Sequence, residues 1–188
     1  MFCFGESGKR CIFSTQGGSV MFRINYSHQW KISVPRESVW LLFSRAFENS
    51  SEVTEWPHSI NDIVSPSGEL APGNPLFSTY KLGPLKTREP YVIQQIIPEQ
   101  RIVYDTADEH PLNGQSEIEL IDVVDGAMRG TEVRWSGYYE PKSFSSIPTL
   151  LIFKFFFERL FFMQLEHATK NAIRIKKTRH HVTIDKVA

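Results

Sequence analysis

The stretch SIPTLLIFKFFFERLFFMQLEHATKNAIRIKK, Ser146 to Lys177, decides the fold. Pro148 suits a first helical turn, where the missing amide hydrogen costs nothing, and no Gly or Pro follows it before Lys177. Leu150, Phe153, Phe157, Phe161, Leu165, Ala168, Ala172 and Ile175 succeed one another by three or four places. That spacing predicts one continuous face of a long helix, Pro148–Lys177. Arg159, Glu166, Lys170, Arg174 and Lys177 give its second half a polar face. The first half has none, because Ile152, Phe155, Phe156, Leu160, Phe162 and Met163 surround it with apolar surface.

Upstream of this helix the chain reads as a sheet. Ile24, Tyr26, His28, Trp30, Ile32 and Val34 alternate with Asn25, Ser27, Gln29, Lys31 and Ser33, the period of a half-buried strand. Pro35 ends it. A short helix follows over Arg36 to Ala46, and a second short helix or loop runs from Asn49 to Trp56-Pro57. Further strands are predicted over Ile60–Ser65, Leu76–Leu82, Tyr91–Ile97, Arg101–Thr106, Glu117–Val124 and Thr131–Tyr139, separated by Gly/Pro/Asn turns. His110 to Gly114 reads as a loop. Short strands with tight connections imply an antiparallel meander, and a twisted meander needs something to bury its concave face. The expected fold is therefore α+β, a curved antiparallel sheet of about seven strands wrapped around the C-terminal helix. Residues 1–21 read as a tail, 22–177 as a single domain and 178–188 as a second tail.

The totals narrow the function. The 188 residues carry 21 basic and 21 acidic side chains, so no net charge draws the chain to nucleic acid. Aromatic residues make up 13%, among them 14 Phe, which suits a core or cavity built from rings. Cys3 and Cys11 match no disulfide framework or zinc spacing. A reducing, cytoplasmic setting is the default. The apolar window Leu150–Leu165 is shorter than a membrane span and contains Lys154, Glu158 and Arg159. No phosphate loop, nucleophile elbow or structured Cys–His pair is present, so no cofactor and no metal is expected.

Several features together resemble the Bet v 1-like, helix-grip (SRPBCC/START) superfamily, closest to its polyketide cyclase/aromatase-like branch. They are Ile32-Ser33-Val34-Pro35 followed by Glu37-Ser38-Val39-Trp40, Trp56-Pro57, Pro98-Glu99-Gln100-Arg101-Ile102-Val103-Tyr104 and Gly130-Thr131-Glu132-Val133-Arg134-Trp135. The long terminal helix completes the set. The resemblance covers Phe22 to Lys177. It implies a helix gripped by a sheet around an internal cavity, and it carries no catalytic set onto this chain.

The candidate site residues follow from strand parity. His28 shares a face with Tyr26 and Trp30, where it would serve as a proton shuttle, a polar anchor or a core histidine with a local partner. Trp135 and Tyr139 flank Gly137, which leaves room for a ligand or marks a bend. Tyr80 and Tyr104 sit on expected inner faces, and Phe157 and Phe161 face them from the helix. Three classes of function stay open. One is a carrier or sensor of a hydrophobic, aromatic or polycyclic ligand. Another is a cofactor-independent cyclase/dehydratase-like enzyme with His28 as its catalytic group. The third is a protein-interaction module. Ile152, Phe156, Leu160 and Met163 lie opposite the main stripe and are expected to meet a second subunit, a lid or a membrane surface.

Overall fold

The computed structural model describes residues 22–54, 56–125, 128–157 and 159–170. The predicted tails and the last predicted helical turns, with Ala172 and Ile175, lie outside them. Seven strands form one sheet: β1 (Ile24–Ile32), β2 (Asn61–Val64), β3 (Pro75–Leu82), β4 (Leu85–Ile97), β5 (Arg101–Thr106), β6 (Leu112–Asp125) and β7 (Met128–Pro141). Their order is β1-β7-β6-β5-β4-β3-β2, every pair antiparallel. Helix α1 (Arg36–Asn49) follows β1 and buries Val39, Phe43, Ala46 and Phe47. It runs a turn longer than the sequence predicts, and the second short helix is a single 3-10 turn, Ser50–Glu52, which the Asn49 side chain caps.

The alternation in β1 holds as written. Ile24, Tyr26, Trp30 and Ile32 are buried, His28 is half-buried, and Asn25, Ser27, Gln29 and Lys31 are exposed. A slip of one residue would exchange those two sets, so the register is fixed by burial alone. The pairing places Tyr26 opposite Gly137 and His28 opposite Trp135 on β7.

Strands β4 and β6 begin well before their predicted starts, and both extend the same end of the sheet. β4 begins at Leu85 instead of Tyr91, and β6 at Leu112 instead of Glu117. Between them β5 stops at Thr106. Residues 85–90 therefore pair with β3 alone, and 112–114 with β7 alone. A strand with one free side tolerates Pro90 and a run of charged residues, which is why the sequence there does not look like sheet. The result is a notch in the sheet, crossed by residues 107–111, where the Ala107 amide donates to the Pro90 carbonyl at 3.1 Å.

The terminal helix is not one regular α-helix. It starts as α2 (Ile147–Ile152), passes through a π-helical turn, Phe153–Phe157, and is helical again over 159–170, here α3. A π turn takes an extra residue, so it rotates the stripe that follows. The buried positions become Leu150, Phe161, Phe162, Leu165 and Thr169. Phe162, outside the predicted stripe, is buried, and Ala168, within it, is only half-buried. The correction has a local cause: the turn drives the Phe153 ring among Tyr139, Tyr26 and Tyr80, at centroid distances of 4.6, 6.1 and 6.5 Å. Trp30 fastens α3 to β1, its indole N–H donating to Thr169 Oγ1 at 3.1 Å.

Candidate ligand pocket

The space between helix and sheet divides into two parts. Around Trp135 it is full. Phe43, Phe47, Tyr104, Phe161 and Phe162 all lie within 6.5 Å of the Trp135 ring, mostly edge to face. Trp30, Trp135 and Phe161 thus belong to close-packed core, and Tyr104 bridges it to Tyr91 at 5.4 Å. His28 stacks on Phe162 with centroids 4.0 Å apart and planes within 16°. The Phe157 side chain is outside the described part of the structure.

Towards the notch the space is open. A pocket of about 180 Å³ is lined by Tyr80, Thr87, Glu89, Tyr91, His110, Leu112, Tyr139, Thr149, Ile152 and Phe153. Its mouth carries the exposed Thr87, Thr149 and Ile152. Of the residues predicted from sequence, Tyr80 and Tyr139 line it. Tyr26 stands one ring behind, stacked on Tyr139 at 5.6 Å. Gly137 opens no room for a ligand: a Cβ there would strike the Gln115 carbonyl and, at 2.6 Å, the Tyr26 hydroxyl. The missing side chain admits Tyr26, whose hydroxyl pairs with Ser116 Oγ at 2.5 Å.

The hydroxyls of Tyr80, Tyr91 and Tyr139 form a chain, 3.3 Å from the first to the second and 3.5 Å from the second to the third. Burial pushes all of them, with Tyr26 and Tyr104, above the ordinary phenol range, since a phenolate would lose its hydration. For Tyr26, Tyr80, Tyr91 and Tyr104, repulsion from Tyr139 adds to that shift. They remain hydrogen-bond donors through the whole neutral range.

Sequence reasoning missed Glu89 and His110. Glu89 sits in the polar overhang of β4, and His110 in the segment crossing the notch. His110 is buried, with Nε2 3.4 Å from Glu89 Oε2. Burial lowers its pKa to about 4, outweighing the backbone bond at Leu112, and the nearby Lys142 ammonium lowers it further. Burial raises that of Glu89, against a hydrogen bond from Thr87. The Leu112 amide donates to His110 Nδ1 at 3.0 Å; in the other tautomer Nδ1 donates to the Leu112 carbonyl, also at 3.0 Å. The ring is thus neutral at pH 7, and one backbone residue satisfies either tautomer. No signal in the sequence marks this pair, because its members stand 21 positions apart and both lie in charged surroundings. Among the described residues no group of His, Cys, Asp and Glu could hold a metal ion, and no helix is long and apolar enough to cross a membrane.

A sheet of this order curled around a terminal helix defines the Bet v 1-like helix-grip fold, and solved structures agree. Truncated norcoclaurine synthase from Thalictrum flavum superposes with a TM-score of 0.59 at 10% identity, over 84% of this chain and 98% of that one. The same enzyme in complex with dopamine and hydroxybenzaldehyde gives 0.57 at 11% identity, over 88% and 96%. Ara h 8.0201 gives 0.53 at 14% identity, over 78% and 97%. At such identities the likeness establishes the fold. No family model and no curated protein matches the sequence.

Proposed function

We propose that this protein binds a small, uncharged, largely apolar molecule of about one aromatic ring in the pocket beside Tyr139. The pocket volume carries the reading. About 180 Å³ compares with the ~150 Å³ cavity that accepts benzene, and falls short of the roughly 300–1,000 Å³ of sites for larger ligands. A single ring with one oxygen substituent fits the apolar walls and the tyrosine hydroxyls; a polycyclic ligand would have to displace Phe153. The dopamine and hydroxybenzaldehyde of the norcoclaurine synthase complex are single-ring compounds, which supports the same size class.

The cyclase/dehydratase-like reading is the finer one, and a specific observation favours it over a passive carrier. A carrier needs only walls and a polar anchor, whereas Glu89 and His110 place two titratable groups on the wall. His28 lines no part of this pocket, so as the catalytic residue it would need a second opening beside Phe162.

NMR titration with phenol and benzaldehyde tests the binding. The ring signals of Tyr91, Tyr139 and His110 are expected to shift together and saturably. Thr149→Trp, which caps the exposed mouth, should abolish the shifts with the fold intact. No shift at these rings with either compound would overturn the reading.

A further inference from the structure

We propose that Glu89 and His110 are the proton-transfer pair of this pocket, acting on a small ring-bearing carbonyl compound with an acidic C–H beside the carbonyl. The inference rests on the pocket being a binding site, and it assigns a chemistry to that site.

Geometry comes first. β4 and β6 overhang β5, and residues 107–111 cross the gap, so His110 is set between the two overhangs with its ring edge on the pocket wall. Tyr91 and Tyr139 hold the ring at centroid distances of 5.1 and 6.1 Å. Lys142 fixes the crossing segment by donating to the Ala107 and Asp108 carbonyls at 3.2 and 2.6 Å. Glu89 projects from β4 to within 3.4 Å of Nε2, its side chain 15% exposed. That distance is long for a charge-assisted bond. A substrate oxygen can therefore take the Nε2 hydrogen without breaking a strong pair.

The division of labour follows from what burial does to each group. A carboxylate in an apolar pocket becomes a stronger base, and an imidazole there stays neutral and donates from Nε2 while the Leu112 amide occupies Nδ1. A carboxylate base facing a neutral imidazole donor is a known division of labour for removing a proton next to a carbonyl. Glu89 takes the proton from carbon. The C–H electron pair becomes the new C=C bond, and the carbonyl π pair moves to oxygen. That oxygen accepts hydrogen bonds from His110 Nε2–H and the Tyr139 hydroxyl. Glu89 returns the proton to the same carbon or to another along the conjugated system. Atoms and electrons balance without an oxidant or co-reactant.

The lining also limits the substrate. Among the described lining residues Glu89 carries the only fixed-sign charge, and it repels anions. A neutral ketone or aldehyde meets no such cost. The titratable or charged groups around the pair are Tyr80 on β3, Tyr91 on β4, Tyr139 on β7, Lys142 beyond β7, and Asp108 and Glu109 beside His110; α2 and the π turn contribute Thr149, Ile152 and Phe153, none of which titrates.

Phenylacetone in D2O tests the pair with the full-length protein. Proton NMR follows exchange at the carbon between ring and carbonyl, and saturation-transfer NMR reads binding separately. Exchange should exceed the buffer rate by roughly a hundredfold or more, as positioned acid–base groups give. Glu89→Gln, which keeps size and hydrogen bonding, should remove that excess while binding persists. His110→Gln should reduce it at least about tenfold through kcat, leaving KM little changed. Activity should fall as pH drops through the raised Glu89 pKa and stay level on the alkaline side until the tyrosines ionise. Binding without exchange, or exchange that survives Glu89→Gln, overturns the pair and leaves the pocket standing. Absence of binding overturns both. Should His110→Gln fail to fold, the Glu89→Gln result and the pH profile still decide.

Discussion

The two ends of the gripped space use the same kind of residue to opposite effect. Around Trp135 the rings are mostly Phe, they meet mostly edge to face, and they fill the space. Around Tyr139 the rings are tyrosines whose hydroxyls need partners, and a pocket remains. Aromatic content alone therefore does not foretell a cavity. The packed end has a regular α3 with two adjacent buried rings, Phe161 and Phe162, 5.2 Å apart. The open end has a short α2, a π turn and a notch in the sheet. Helix and sheet both lose regularity at the same place, and the pocket lies between the two irregularities.

Breaking the packed end should cost most. Trp135→Ala is expected to destabilise the fold by about 3–5 kcal/mol, since large-to-small changes lose both transfer energy and packing. Thermal denaturation measures it. Tyr139→Phe at the open end should cost about 1 kcal/mol, the worth of an ordinary hydrogen bond. Equal losses from the two variants would erase the distinction.

Acid should act on the open end. The His110 pKa falls from 6.5 to about 4 on folding, so the unfolded chain binds the extra proton between those values. Its contribution is full above pH 6.5 and is lost as pH falls through 4, about 3 kcal/mol over the window. Glu89 opposes it, because a raised carboxyl pKa favours the fold at low pH and that contribution fades as pH rises through its folded value. Urea midpoints from pH 7 to 4 should therefore drop more steeply in Glu89→Gln than in the parent. An identical slope would mean that folding does not raise the Glu89 pKa as its burial requires. The buried tyrosines add an alkaline limb. Their pKa values are raised, so stability is intact below pH 10 and declines above it.

Gly137→Ala probes the boundary between the two ends. Its Cβ must push Tyr26 off Ser116, an overpacking cost of about 1–3 kcal/mol. The Tyr26 hydroxyl signal should move while the Trp135 indole N–H signal stays; an unchanged Tyr26 would mean the strand bends instead.

The smallest expected effect lies on the outer surface. Leu151, Ile152, Phe155, Leu160 and Met163 are exposed, Phe155 by 70% and Met163 by 58%. The Phe156 side chain lies outside the described part. We expect this face to meet a second subunit or a membrane surface. Phe155→Ser with Met163→Ser should lower self-association or vesicle binding in sedimentation, with stability changed by less than about 0.5 kcal/mol. Unchanged sedimentation with the fold intact would remove the contact.

The sequence by itself determined the layout. Alternation in Ile24–Val34, turns at Gly83-Pro84 and Pro98-Glu99-Gln100, and the long apolar stripe after Pro148 are local patterns. Local patterns suffice when burial on one face sets the register. They also led to Tyr80 and Tyr139 as inner-face residues, whereas which inner-face rings line the pocket depends on packing. Tertiary structure decided the rest. Residues 85–90 and 112–114 look unlike strand because each is paired on one side only, a fact about neighbours far away in the chain. The π turn comes from fitting Phe153 among three tyrosines contributed by three strands. Glu89 and His110 meet because β5 is shorter than the strands beside it, and strand length relative to a neighbour is written in no single stretch of sequence.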